Sequence, residues 1–210
     1  GLASHELAAI IPILLLVLNW VYGKPNKMLV NSLKIWPFFL ILVIYLFLNI
    51  TKIGFSSTEQ QYQAVFDIKT TLQSFGWYIS WAFGLPEMLL DFVSPGLKLN
   101  PDLMRYWGSF YKIIFSSATV TALTIIFAII YSLRKNEIFK DKRFWFLLLW
   151  FPISVLPVIF LPSHKSSYYL VPALPAFWGV VGYLIFQTYW NLRKDSQKVA
   201  TIFLGCCLIS

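Results

Sequence analysis

Charge is scarce in this sequence. Only 12% of its 210 residues are Asp, Glu, Lys or Arg, where a soluble domain carries about a quarter. So few charges cannot clothe a water-facing surface of this size, which excludes an ordinary soluble domain. Cysteine is nearly missing as well, Cys206 and Cys207 being the whole complement. Adjacent cysteines rarely meet disulfide geometry, and no zinc-ligand spacing surrounds them. They read as small apolar fillers. A Gly-rich phosphate loop, a nucleophile elbow and a metal-binding His pair are also absent. Within the apolar runs there is almost no charge, which speaks against an intramembrane ion or proton relay.

What remains is apolar: 58% of the residues are hydrophobic and the mean hydropathy is +0.68. The expected fold class is all-α, a polytopic transmembrane helix bundle with interfacial helices on the outer face. A membrane-spanning helix needs about 20 mostly apolar residues. Such runs fall at 7–22, 33–53, 112–133, 144–161 and 168–190, with a truncated one at 199–210. Trp20, Tyr22, Trp36, Trp107, Tyr131, Trp145 and Trp190 sit near their ends, where amphipathic rings favour the headgroup layer. The chain opens Gly1-Leu2-Ala3-Ser4 without a signal-peptide pattern and stops inside an apolar run. It reads as one membrane domain, residues 1–210, cut from a longer polytopic protein. No internal repeat or low-complexity tract divides it.

The sparse charge is unevenly placed. Loops 23–34, 134–143 and 190–198 hold eleven of the seventeen basic residues and three acidic ones. The remainder of the chain is neutral, so the whole excess of +8 lies in these three loops. All three fall on one side of the alternating spans, and the positive-inside bias makes that side cytoplasmic. The basic balance orients the chain and meets anionic lipid, so no nucleic-acid partner is needed to explain it. The localisation expected is multi-pass in a membrane. Lack of a retention signal and of a convincing sequon (Asn49-Ile50-Thr51 lies in a span end) leans towards a bacterial inner membrane.

With this orientation Ser4-His5-Glu6, the segment 54–111 and the turn 162–167 face outside. Within the long segment, Glu59–Ser74 carries Tyr62, Val65, Phe66 and Leu72 at roughly helical spacing, as an interfacial helix would. Phe75–Val93 is apolar enough to enter the bilayer, yet a single crossing there would break the orientation pattern. A re-entrant or interfacial helical pair is expected, its backbone covered by protein or lining a wet cavity. Asn100-Pro101-Asp102 reads as a helix start, the helix running through Arg105 and Trp107 into the span after Lys112.

The stretch His164 to Ala176 is the most informative. His164, Lys165 and Tyr168 form a cationic, hydroxyl-bearing lip suited to a phosphate anchored by a lipid tail. An ordinary outer turn with interfacial Tyr anchors would carry the same residues. At the other outer positions, Glu6 beside His5 could orient a hydroxyl or move a proton, or simply complement a helix N-terminus. Glu87 and Asp91, four apart, would share a helix face. Asp67 with Lys69 and Asp102 with Arg105 could form weak surface pairs.

Two of these stretches, in this order, carry a resemblance. Ser4-His5-Glu6 followed by Pro12 and a Leu-rich run resembles the Ser-Lys-Glu…Pro pattern opening a middle span of polytopic GT-C glycosyltransferases. Lys165 through Pro175 resembles the basic residue and Tyr-Leu-x-Pro-Ala-Leu-Pro segment of the aminoarabinose-transferase and protein O-mannosyltransferase relatives. The resemblance implies sugar transfer at the outer face from a polyprenyl-phosphate-linked donor to a protein, lipid or glycan acceptor. It implies donor phosphate binding by Lys165, His164 and Tyr168, with His5, Glu6, Glu87, Asp91 and Arg105 as supporting polar groups. Glu6 matches the motif's Glu, whereas His5 stands where the family has Lys. The family's catalytic carboxylate belongs to a first outer loop that this chain does not contain, so no catalytic residue is assigned. The resemblance admits a divalent metal in the complete enzyme, and no ligand pattern here indicates one. The competing classes are a polytopic transporter or lipid flippase, which should show broken spans or a repeated topology, and a non-catalytic membrane assembly subunit.

Overall fold

The computed structural model describes residues 9–48, 64–94, 98–135 and 138–209. Over these residues the chain is helical, with nine α-helices, short 3-10 segments and one pair of two-residue strands. The Ser4-His5-Glu6 motif, the Asn49-Ile50-Thr51 pattern and residues 59–63 of the expected helix 59–74 lie outside the described residues, and the helix observed there begins only at Ile68.

Two helical stretches are long and apolar enough to cross a membrane. They are Pro25–Leu48, 24 residues of mean hydropathy 1.9, and Phe110–Arg134, 25 residues of mean hydropathy 2.3. The second coincides with the expected run 112–133, whereas the first shares only residues 33–48 with the expected run 33–53 and begins inside the expected loop 23–34, residues 49–53 lying outside the described residues. Ile11–Tyr22 and Gln197–Cys207 are apolar but shorter. The chain packs as two compact units, residues 1–78 with 141–178 and residues 79–140 with 179–210.

In the first unit, α1 (Ile11–Tyr22) starts with Pro12 in its first turn, where a missing N–H costs nothing. It packs along α7 (Lys142–Val155), with the Tyr22 and Phe146 rings 6.4 Å apart edge to face. Gly23 ends α1 and donates its N–H to the Asn19 carbonyl at 2.7 Å. The Asn19 amide donates to the Met28 carbonyl at 3.0 Å and to Ser32 Oγ at 2.8 Å. That clasp folds α2 (Met28–Leu33) back on α1 before α3 (Trp36–Leu48) leaves. None of the thirteen α3 residues is buried, so this helix offers Phe38, Ile41, Val43 and Phe47 to its surroundings. Such an all-round apolar helix is at home in hydrocarbon and not in water.

Helix α4 (Ile68–Ala82) is capped by Asp67, whose Oδ2 accepts from the Thr70 N–H at 2.9 Å and its hydroxyl at 2.8 Å. The carboxylate thus closes the helix end, where an orphan first-turn N–H is its strongest partner, and the expected surface pairing with Lys69 persists as a weaker charge attraction. Ring contacts tie this part of the chain to α7 and to the turns beyond α7: Phe75 lies 5.9 Å from Phe151 and Phe66 lies 5.1 Å from Phe160. Ser74 and Tyr78 on α4 and Ser154 and Val155 on α7 are completely buried, small hydroxyl residues permitting close helix approach.

The expected span 144–161 is helical only to Val155. Pro152 already removes one ladder donor, and Pro157 forbids continuation two residues beyond the end. Turns come next, then a 3-10 segment Ser167–Leu170 and α8 (Leu174–Asp195). The expected span 168–190 is thus a true α-helix from Leu174, after Pro172 and with Pro175 in its first turn.

In the second unit, Gly84 turns the chain after α4 with φ +88. A 3-10 segment Glu87–Phe92 leads to the antiparallel pair β1 (Val93–Ser94) and β2 (Lys98–Leu99), in register Val93 to Leu99 and Ser94 to Lys98. Asn100 Oδ1 accepts from the Asp102 N–H at 3.0 Å and starts α5 (Asp102–Trp107), as its sequence implied. The helix does not continue into the next span. Gly108, at φ +54, breaks it before α6 (Phe110–Lys135), a conformation that a residue with a Cβ adopts only at a cost. Phe92 and Tyr106, 6.0 Å apart, seat α5 on the preceding segment. α6 packs with the body of α8 and with α9 (Gln197–Ile209).

Candidate functional site

The turn between α7 and α8 is built by its own short-range hydrogen bonds. His164 N–H donates to the Leu161 carbonyl at 3.1 Å and Tyr169 N–H to the Ser166 carbonyl at 3.3 Å. Ser166 caps the 3-10 segment by accepting from the Tyr168 N–H at 3.3 Å. Ala173 N–H donates to the Leu170 carbonyl at 2.7 Å, and the Ala176 and Phe177 N–H groups donate to the Ala173 carbonyl at 3.1 and 3.0 Å, carrying the chain past Pro172 into α8. Leu170, Ala173 and Ala176 are buried beneath the turn and fix it from below.

On this base four polar side chains, His164, Lys165, Tyr168 and Tyr169, stand along one short turn. His164 Nε2 and Tyr169 Oη share a hydrogen bond of 2.9 Å, with ring centroids 5.8 Å apart. Tyr169 is buried while Tyr168, its ring 6.0 Å away, is 59% exposed. A buried ring that holds its hydroxyl against an imidazole fixes the imidazole's orientation, and the tyrosine can donate to neutral Nε2. Lys165 comes directly after and is half-buried. Burial pushes its ammonium below the ordinary value of 10.5. A partly desolvated cation is short of solvating partners, so an anion arriving there gains more than it would at a fully hydrated lysine. The arrangement can bind and orient a phosphate oxygen.

The expected phosphate-binding trio, His164, Lys165 and Tyr168, is therefore gathered on one turn. Sequence reasoning misses Tyr169, although it is the residue that touches His164. Its partner lies five positions back, a spacing no regular helix or strand period would flag. The supporting residues are elsewhere. His5 and Glu6 lie outside the described residues. Glu87, Asp91 and Arg105 all belong to the second unit. Glu87 and Asp91 stand on a 3-10 segment and not on the α-helix expected of them. Arg105 occupies the last turn of α5 and is exposed. Among the described residues no three His, Cys, Asp or Glu side chains cluster as metal ligands.

Compared with known proteins, the chain matches no protein-family model, no curated protein and no solved structure.

Proposed function

We propose that this chain is part of a multi-pass membrane glycosyltransferase of GT-C type, moving a sugar from a polyprenyl-phosphate donor on the outer face. In this reading the basic loops are cytoplasmic and the α7–α8 turn lies at the opposite surface, in a bacterial inner membrane. The single observation that carries it is the lip itself. A half-buried lysine, an exposed tyrosine and an imidazole held by a buried tyrosine share one arc, in the stretch that resembles the family's Tyr-Leu-x-Pro-Ala-Leu-Pro segment. Lys165 would bind the donor phosphate, Tyr168 would donate to one of its oxygens, and His164 would orient or hydrogen-bond a second. The acceptor is a protein, lipid or glycan.

The test is Lys165→Ala in the complete, full-length protein with a polyprenyl-phosphate-linked sugar. Loss of one charge-assisted contact should weaken donor use by roughly tenfold or more while expression is unchanged. Polyprenyl phosphate should also protect Lys165 from amine-directed labelling. Unaltered transfer kinetics would remove Lys165 from the site.

One observation favours the competing reading of a lipid transporter: α7 contains Pro152 and stops at Val155, leaving turns where a span would continue. Interrupted helices of this kind carry sites in transporters. Movement of labelled polyprenyl phosphate across vesicles, without any sugar transfer, would favour that reading over the enzyme.

A further inference from the structure

A second candidate site lies where the basic residues gather. In the second unit, Tyr131 Oη donates to Asp195 Oδ2 at 2.9 Å, joining residues 64 apart in the chain. The bond pins the last turns of α6 and α8 together. Further along the same pair of helices, buried Ser132 and Thr188 lie 3.4 Å apart, and Thr188 donates to the Ala128 carbonyl at 3.5 Å. After Asp195, α9 begins at Gln197 and returns along α6. The Phe127 ring lies 5.7 Å from Phe203 on α9 and stacks at 6.1 Å on Tyr131.

This pinning has two consequences. Arg134, Arg193, Lys194 and Lys198, all exposed, are brought to one end of the unit together with Asp195. Beyond that end, α6 and α9 leave between them a groove of about 390 Å³, lined by Val120, Leu123, Phe127, Val199, Ile202 and Cys206 with two neighbours. Its volume is within the range of roughly 300–1,000 Å³ usual for ligand clefts. An apolar trough with a cationic mouth is complementary to an amphiphile with an anionic head. A second copy of this chain would bring the same excess of basic charge to the mouth and be repelled by it.

We infer that the α6–α9 groove binds an anionic phospholipid such as phosphatidylglycerol. One acyl chain lies between Leu123, Phe127 and Ile202, and the headgroup phosphate sits against Lys198 and Arg134. The site is independent of the lip at Lys165 and of any sugar chemistry there.

The experiment uses the purified protein in non-ionic detergent, with dioleoyl phosphatidylglycerol and dioleoyl phosphatidylcholine as probes, and counts retained lipid by native mass spectrometry. The wild type should retain phosphatidylglycerol in preference to phosphatidylcholine. The double variant Arg134→Gln with Lys198→Gln should weaken phosphatidylglycerol retention roughly tenfold to thirtyfold and leave phosphatidylcholine unchanged. The charge-preserving Arg134→Lys with Lys198→Arg should behave as wild type, and Ile202→Trp, which fills the trough, should reduce retention of both lipids. Equal retention of the two lipids by the wild type, or wild-type retention by the double Gln variant, overturns the inference. So does a dimer that Ile202→Trp splits without changing lipid retention.

Discussion

Tyr169 holds His164 from beneath, its buried ring placing Oη 2.9 Å from Nε2. Tyr169→Phe keeps the ring and removes that bond. The stability cost should be about 0.5–1.5 kcal/mol. If the imidazole must be oriented for donor binding, donor use should fall several-fold beyond what this loss of stability explains. Equal turnover in wild type and variant, measured well below the melting temperature, would make the pair purely structural.

Lys165 gives a pH signature of known sign. Burial lowers its folded pKa below the ordinary 10.5, so between those two values the unfolded chain binds more protons than the folded one. Stability should therefore rise with pH through that window, and the gain should vanish on returning below the folded value. Lys165→Met should flatten this part of the profile in thermal melts without donor, and should not destabilise the fold at neutral pH. A steeper rise in the variant than in the wild type would contradict the assignment.

Asp67 works in the opposite range. Its carboxylate is held below the ordinary 3.8, first by the backbone N–H of Thr70 and then by that residue's hydroxyl. The stability it contributes is present above 3.8 and is lost as pH falls through the folded pKa. Asp67→Asn should retain the cap and abolish this acid dependence, whereas Asp67→Ala should lose the cap at every pH. Hydrogen exchange of the first-turn amides of α4 reads both effects.

Gly23 is required by closeness. A Cβ at this position would overlap the Asn19 carbonyl oxygen, which is the acceptor of the turn's own hydrogen bond. Gly23→Ala should destabilise the fold by about 1–3 kcal/mol, the usual cost of forced overpacking. Denaturant titration in detergent measures it, and Asn19→Ala combined with Gly23→Ala should be less than additive because both act on one turn.

How much of this was legible depends on the kind of signal. The long apolar runs gave α6 almost to the residue, because a hydrocarbon-length stretch bounded by Lys112 and Arg134 has few other solutions. The same counting overran α7 by six residues, since hydropathy treats Pro157 as neutral while the backbone ladder does not. Gly108 was likewise invisible to polarity, and its break was set by a backbone dihedral. At the lip, His164, Lys165 and Tyr168 were readable as a local cluster. Tyr169 was not, because its contact crosses an irregular turn. The Tyr131 and Asp195 bond was further out of reach still, since nothing local in either helix end names its partner.

The corner at Gly108 fixes how far one rod can reach. A helix running unbroken from Asp102 to Lys135 would be about 51 Å long at 1.5 Å per residue, far beyond a hydrocarbon layer of about 30 Å. The break leaves about 39 Å for α6. That length fits a bilayer of about 40–45 Å including its headgroup layers, and α5 is released to take its own direction, so a single glycine separates the helix long and apolar enough to cross from the short one before it.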